Sequence, residues 1–417
     1  MTSLLYRVLR ARPGELTAVA WAFAYFFLLL CGYYILRPVR DALAVEAGAQ
    51  TVKWLFTATF VAMLALVPVF GWLSARLPRA RLLPVVYGFF VLNLLLFSVW
   101  LSPLVFFVWL SVFNLFAVSV FWSFMSDIFD TPQAARLYGA IAAGGSCGAI
   151  AGPLVAALFS GILGHSGLLV VSAALLGLII PCIAMLARWS RAHPRASDTP
   201  PEAPLGGSIL AGVRAALGSP FLLAICGYLL CYTALSTALY FQQVAIVKEA
   251  VPDMAERTRL FAHVDLVVNS LTLVLQVLAF SRLTALLGPG WLLAVVPLIS
   301  LAGFLWLGAT PTLAALIVFG VARRVGEFAV SKPAREALFT VVPREERYKA
   351  KNFIDTVVYR GGDAASGWLF EALAGALAMV AAALSLVWTA IAFHLGARMK
   401  SWTGDGARSS PSLQPGR

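Results

Sequence analysis

Three stretches of the chain, Leu82 to Ser126, Leu137 to Ala187 and Leu283 to Ala322, contain no Lys, Arg, Asp or Glu, and each runs for 40 to 51 residues. A helix needs about 20 predominantly apolar residues to cross the hydrocarbon core of a bilayer, so each block is long enough to cross twice. Each also carries turn formers near its middle: Ser102-Pro103, the run from Gly161 to Gly167, and Thr310-Pro311. The blocks therefore read as helical hairpins in lipid. Composition points the same way, with 61% apolar and 12% charged residues, against roughly 25% charged in an ordinary soluble domain. A soluble globular fold is excluded. A transmembrane β-barrel is excluded as well, because its strands alternate apolar and polar residues and never give such runs.

The remaining apolar runs bring the total to twelve spans, at 17–36, 54–74, 82–101, 104–126, 137–160, 168–187, 221–244, 260–281, 291–309, 312–331, 352–372 and 375–396. Between the sixth and seventh lies Arg188 to Pro220, with Pro194, Pro200, Pro201, Pro204 and Gly206-Gly207, the composition of a flexible linker. The expected organisation is an N-terminal six-helix half at 1–187, a cytoplasmic linker at 188–220, a C-terminal six-helix half at 221–396 and a disordered cytoplasmic tail at 397–417. With both termini on one side, that side holds 24 of the 31 Lys and Arg residues. The positive-inside bias then places the termini in the cytoplasm and the chain in the cytoplasmic membrane. The net charge of +12 is thus a topology signal spread over loops, and nucleic acid is excluded as a partner.

Arg7, Arg10 and Arg12 precede the first span with no small-residue cleavage site after it, so that span reads as retained. Cys31, Cys147, Cys182, Cys226 and Cys231 all fall in apolar stretches without a CxxC pair, and read as buried small residues. Neither a metal nor a cofactor is expected.

Six plus six spans in the same order point to parallel repeats, the arrangement of the major facilitator fold. Two traces support a repeat. Cys31-Gly32-Tyr33 in the first span recurs as Cys226-Gly227-Tyr228 in the seventh, and Phe129-x-x-Pro132-x-x-x-Arg136 resembles Phe339-x-x-x-Pro343-x-x-x-Arg347. The expected fold class is an all-α membrane protein of twelve transmembrane helices, major-facilitator-like, in two six-helix halves.

Ionisable residues inside spans are costly in lipid and therefore carry most of the functional signal. In the eighth span Asp265, Asn269, Thr272 and Gln276 share one helical face, which either lines a path or bonds to other helices. The eleventh span carries Asp355, Tyr359, Asp363 and Ser366, with Arg360 three residues before Asp363 and able to pair with it. That pair reads either as a structural ion pair or as a switch opened by a proton or a substrate anion. At the end of the first span Tyr33, Arg37 and Arg40 can share a face, an aromatic surface beside two guanidinium groups that suits phosphate and a stacked ring. Interfacial anchoring is the alternative. The seventh span adds Tyr228, Tyr232, Ser236, Tyr240 and Gln243. The tenth contains adjacent Arg323 and Arg324 with Glu327, and at least one of these arginines is expected to pair with Glu327 or reach the cytoplasm. Gly144, Gly148 and Gly152 form a doubled GxxxG without the Lys-Ser/Thr of a phosphate loop, which reads as close helix packing.

No HExxH, GxSxG or Walker sequence is present, so the chain reads as a non-enzyme whose transport is driven by a gradient or by exchange. Three stretches, YYILRPVRDALAV, FWSFMSDIFDTPQAARLYG and KPAREALFTVVPREERYKAKNFIDTVVYRGG, resemble the ATP/ADP translocases of plastids and intracellular bacteria. The resemblance covers most of the chain and implies nucleotide exchange, with Arg40 at the position of a Lys implicated in nucleotide binding. Two departures accompany it. The acidic residue common early in the family's fourth span is replaced by Leu110, Ser111 and Asn114, and R-x-G-K in the eleventh becomes Arg360-Gly361-Gly362-Asp363. That charge reversal disfavours a triphosphate.

The expected function is secondary transport of an organic anion, a nucleotide among the candidates, by alternating access. Substrate binding is expected from Tyr33, Arg37, Arg40, Tyr228, Tyr232, Asp265, Asn269, Gln276, Tyr359 and Arg360, and coupling or switching from Asp265, Asp355, Asp363 and Glu327. The expected partners are the small anionic solute and the lipid bilayer, for a monomeric chain. Rival readings are a proton-coupled carrier of another solute and a non-transporting scaffold or lipid scramblase.

Overall fold

Backbone groups in lipid find no water, so a spanning segment must satisfy its hydrogen bonds within itself. The computed structural model describes Arg12 and residues 14–76, 79–193, 209–278, 280–342, 350–351, 353–372 and 377–408, and nearly all of these are helical, with no strand among them. In order the helices are α1 (Glu15–Ala47), α2 (Ala49–Arg76), α3 (Arg79–Val99), α4 (Pro103–Ile128), α5 (Thr131–Gly177), α6 (Ile179–Ala192) and α7 (Ile209–Gly218). They continue as α8 (Pro220–Ala250), α9 (Met254–Leu278), α10 (Phe280–Ala309), α11 (Leu313–Gly326), α12 (Lys332–Leu338), α13 (Tyr359–Ala372) and α14 (Leu377–Arg408). Two π-helical segments interrupt this pattern: Glu327–Ser331 joins α11 to α12, and Ile354–Val358 leads into α13.

The elements supply the twelve crossings of a major-facilitator-like fold. The expected hairpin turns fall at helix breaks. Ser102 precedes α4 with Pro103 as its first residue, and the Thr312 side chain caps α11 by accepting from the Ala315 amide at 3.3 Å. Gly164, at φ +62°, breaks α5 into two arms. The first arm is the fifth crossing, and the second begins the sixth, which α6 completes. Only glycine enters this backbone region without strain. Among the described residues nine helical stretches are long and apolar enough to span, one of them the 61-residue run Pro132–Ala192 that holds two crossings. The tenth and eleventh crossings fall short of that standard, and both contain a π segment.

The expected linker is partly helical, since α6 runs to Ala192 and α7 lies within it. Residues 194–208 and 409–417, which hold part of the linker and the last nine residues of the tail, lie outside the described residues, as do Pro343 and Arg347 of the second repeat trace.

The chain forms two compact units, residues 1–201 with 247–270 and residues 202–246 with 271–417. In the first unit α5 packs on α1 through the doubled GxxxG. A Cβ on Gly144, Gly148 or Gly152 would land on the backbone carbonyl of Phe23, Phe27 or Cys31 in turn. The glycines therefore allow the near-backbone contact that holds helices together in lipid, where dispersion replaces the hydrophobic effect. Rings fill the space beside this seam: Phe26 stacks on Phe121 with centroids 4.2 Å apart, and Tyr25 meets Phe121 edge-on at 4.8 Å. Asp130 and Gln133 form a capping box at the start of α5. Arg136, from the same repeat trace, bonds Glu15 at the start of α1 at 2.9 Å.

The second unit repeats the scheme. Gly227 of α8 faces Ile391 of α14, as Gly32 of α1 faces Ser172 and Leu176 near the end of α5. Gly362 of α13 faces Thr233 of α8, as Gly148 faces α1. First against sixth and first against fifth crossing thus recur as seventh against twelfth and seventh against eleventh, which gives the Cys-Gly-Tyr traces a packing role in each unit. Of the five cysteines four are buried, but Cys147 is exposed. Its neighbours Gly144 and Gly148 take the side of α5 that presses on α1, which turns Cys147 outward and corrects the expectation of a buried thiol.

Candidate functional site

The tenth and eleventh crossings and α12 carry the buried charges of the second unit, and these collect around one ring, Tyr232 of α8. The guanidinium of Arg323 lies 5.1 Å from its centroid and that of Arg335 5.9 Å. The rings of Tyr359 and Trp388 stand 5.8 and 6.0 Å away. Trp388 also meets Tyr228 at 5.3 Å, and the Tyr228 hydroxyl donates to the Leu293 carbonyl at 2.9 Å. Tyr232, Tyr359 and Arg360 are half-buried, whereas Arg323, Arg335, Glu327 and Asp363 are buried.

The three arginines differ in how their charge is met. Arg335 donates to Glu327 Oε1 at 3.1 Å, a pair with both side chains under a tenth exposed. Arg360 pairs with Asp363 at 3.5 Å, as the i,i+3 spacing allows, and its guanidinium also lies 5.2 Å from the Tyr359 ring. Arg323, only 5% exposed, has no carboxylate within ion-pair distance among the described residues. Its guanidinium is held by neutral acceptors: Ser236 Oγ at 2.7 Å, the Tyr232 carbonyl at 3.2 Å and Ser300 Oγ at 3.3 Å. It is positioned by hydrogen bonds to neutral groups, and the carboxylate of Asp363 acts on it electrostatically without a direct ion pair among the described residues. Glu327 in turn leaves its Oε2 buried without a hydrogen-bond partner.

The π segments set this geometry. A π turn adds a residue to the helix and recurs at functional sites. Glu327 opens the first one, and its carboxylate reaches Arg335 on α12, eight residues on. One of the adjacent arginines was expected either to pair with Glu327 or to reach the cytoplasm; the Glu327 carboxylate bonds Arg335 across the widened turn. The second π segment ends immediately before Tyr359 and Arg360.

A separate polar seam belongs to the first unit. Arg37 pairs with Asp265 at 3.3 Å, with Asp265 only 2% exposed. Arg257 bonds the Glu46 carboxylate and the Val251 carbonyl, and Asn269 Nδ2 donates to the Ala149 carbonyl at 2.6 Å. Arg37 lies 5.9 Å from the ring of Tyr34, with Tyr33 edge-on to that ring. Arg40 bonds Asp41 at 2.7 Å and lies 4.9 Å from the Phe107 ring.

The sequence-derived residues thus divide. Tyr228, Tyr232, Tyr359, Arg360, Asp363 and Glu327 come together in the second unit. Tyr33, Arg37, Arg40, Asp265 and Asn269 belong to the first, and the polar face of the eighth span splits accordingly, with Gln276 donating to the Phe328 carbonyl of the second unit at 3.1 Å. Asp355, on the second π segment, has Lys351, Glu336, Arg335 and Lys332 as its charged neighbours. Arg323 and Arg335 were absent from the expected site. The available signal was their charge inside or at the end of the tenth span, together with Ser236 on the seventh. Among the described residues no group of three His, Cys, Asp or Glu could hold a metal ion.

The family model described as Major Facilitator Superfamily matches residues 22–321. The chain belongs to the major facilitator superfamily. Solved structures agree on the fold. This major facilitator is similar to a bacterial homologue of the human lysosomal transporter Spinster, with 15% identity over 96% of this chain and 100% of that one and a TM-score of 0.60. It is similar to the nucleoside transporter NupG, with 13% identity over 92% and 99% of the two chains and a TM-score of 0.62. It is also similar to a bacterial homologue of the iron transporter ferroportin, with 13% identity over 91% and 99% and a TM-score of 0.63. No curated protein matches it in sequence. As a multi-pass membrane protein with a transporter fold, the major facilitator groups with carriers of small solutes rather than with enzymes.

Proposed function

We propose that this major facilitator carries an organic anion bearing an aromatic or heterocyclic ring, a nucleotide foremost, by exchange through the Tyr232 site. The observation that carries the reading is Arg323, a buried guanidinium aimed by three neutral acceptors and paired with no carboxylate among the described residues. A buried cation without a direct carboxylate partner favours an anion, and guanidinium forks suit phosphate and carboxylate. The half-buried rings of Tyr232 and Tyr359 beside it offer a stacking surface. Arg37, Arg40 and Arg360 each already have a carboxylate partner, so Arg323 ranks ahead of them as the primary anion contact. The nucleotide reading is supported by the resemblance of the first, fourth and eleventh spans to nucleotide exchangers. The two six-helix halves, the cytoplasmic termini and the cytoplasmic membrane rest on the span order and on the excess of Lys and Arg in the loops of one face.

Purified protein in proteoliposomes, with radiolabelled nucleotides and organic phosphates inside and outside, tests this. Uptake that requires a preloaded anion supports exchange, and an absence of anion uptake under any preload rejects the reading. A second reading, proton-coupled transport, is favoured by the unpartnered Oε2 of buried Glu327. It predicts uptake into empty vesicles driven by a pH gradient alone and lost in Glu327→Gln.

A further inference from the structure

Charges inside a membrane protein are tolerated in matched pairs, because a buried charge without a counterpart is costly. Eight charged residues are buried among those described. Four belong to the first unit, Glu15, Asp41, Arg257 and Asp265, and each has an ion-pair partner. In the second unit Glu327 and Arg335 pair with each other, and Asp363 pairs with Arg360. Arg323 is the eighth, and it has no ion pair among the described residues. Pair by pair the buried charge cancels, and one guanidinium is left over.

The same surplus surrounds the rings of the Tyr232 site. The charges that act most strongly on Tyr232 and Tyr359 are the guanidinium groups of Arg323, Arg335 and Arg360 and the carboxylates of Glu327 and Asp363. Asp363 acts on Arg323 as well as on Arg360, so the five groups form one electrostatic set. Three cations face two anions, an excess of one positive charge. Arg324 leaves α11 about 100° round from Arg323, on another side of the helix. One negative charge on a solute completes the set. A second would have no counterpart and would carry the cost that pairing avoids everywhere else in the chain.

We infer that the Tyr232 site selects ring-bearing anions of a single negative charge, an aromatic or heterocyclic carboxylate or a phosphate diester, over anions carrying two or more. This rests on the Tyr232 site being the solute site, and it narrows the class: among nucleotides, a cyclic nucleotide is taken ahead of open mono-, di- and triphosphates. Isothermal titration calorimetry on the full-length protein in detergent tests it at about pH 8, where a phosphate monoester is doubly charged. Two series hold the ring and raise the charge from a neutral member upward: adenosine, cyclic AMP, AMP, ADP and ATP, and nicotinamide, nicotinate and pyridine dicarboxylate. Affinity should peak at cyclic AMP or nicotinate and fall about tenfold or more at the next member. The series that shows the peak names the anionic group, phosphate diester or carboxylate. Arg323→Gln should weaken the singly charged member about tenfold or more and leave the neutral one unchanged. Asp363→Asn removes one anion from the set and should move the peak to the doubly charged member; its partner Arg360 is 26% exposed and stays solvated. Affinity that climbs with charge through ADP and ATP, or a peak that stays in place in Asp363→Asn, overturns the inference and leaves Tyr232 at an anion site. Binding of no charged member in either series, or binding insensitive to Arg323→Gln, rejects the site reading itself.

Discussion

Replacing Arg323 by glutamine separates binding from folding more cleanly than any other change in the Tyr232 site. The guanidinium is held by Ser236 Oγ, Ser300 Oγ and the Tyr232 carbonyl, all neutral. Ser236 already donates to the same Tyr232 carbonyl at 2.7 Å, so that oxygen keeps a partner once the arginine is gone. No carboxylate is orphaned, and the cost of about 3–5 kcal/mol that follows from breaking a buried ion pair does not arise. What is lost is a charge-assisted hydrogen bond to the solute, worth about 1.5–3 kcal/mol. That corresponds to a 10- to 150-fold weaker affinity, roughly, at RT of about 0.6 kcal/mol. Concentration-dependent uptake in proteoliposomes should therefore show a raised KM, with thermal unfolding in detergent close to the parent protein. Arg323→Lys keeps the charge but loses the fork and should fall between the two. A folded Arg323→Gln protein with unchanged KM for every anion tested would refute the argument.

Glu327→Ala should behave in the opposite way, losing about 3–5 kcal/mol of stability because Arg335 is left buried and unpaired. Differential scanning fluorimetry checks this, and Glu327→Ala with Arg335→Met should recover most of the loss. Gly148→Leu should cost about 1–3 kcal/mol or more through overpacking against the Phe27 carbonyl, whereas Gly139→Ala, which meets nothing within 4 Å, should be neutral; size-exclusion profiles and unfolding temperatures distinguish them. Asp265→Asn should weaken the Arg37 contact and lower the unfolding temperature. Exchanging the pair as Arg37→Asp with Asp265→Arg should restore part of it, and a double variant no better than the sum of the single ones would remove the ion pair from consideration.

The crossings were legible because lipid enforces a single rule, that every backbone group bonds within its own helix. Apolar length and breakers such as Ser102-Pro103, the run from Gly161 to Gly167 and Thr310-Pro311 are then enough to place the turns. The charged site was legible only as a set of residues that do not belong in lipid. Their partners were not. Helical periodicity pairs Glu327 with a neighbour on its own turn, but a π segment intervenes and Arg335 takes that place. Arg37 and Asp265 meet from helices far apart in the chain, which no local spacing reveals. Arg323 read as one of two adjacent arginines, and only its neutral hydrogen-bond partners single it out as the anion contact proposed above.

The π segments at Glu327–Ser331 and Ile354–Val358 also bear on how such a site can arise and be lost. A π turn is the trace of one residue inserted into an α-helix. Deleting one residue among Phe328, Ala329 and Val330 would restore regular winding and turn everything downstream by about 100°, a single step of the helix. Arg335 would swing away from Glu327 and from the ring of Tyr232 without any change to the atoms that carry the chemistry. A relative lacking that one residue could keep every arginine and glutamate of this chain and still bind a different solute.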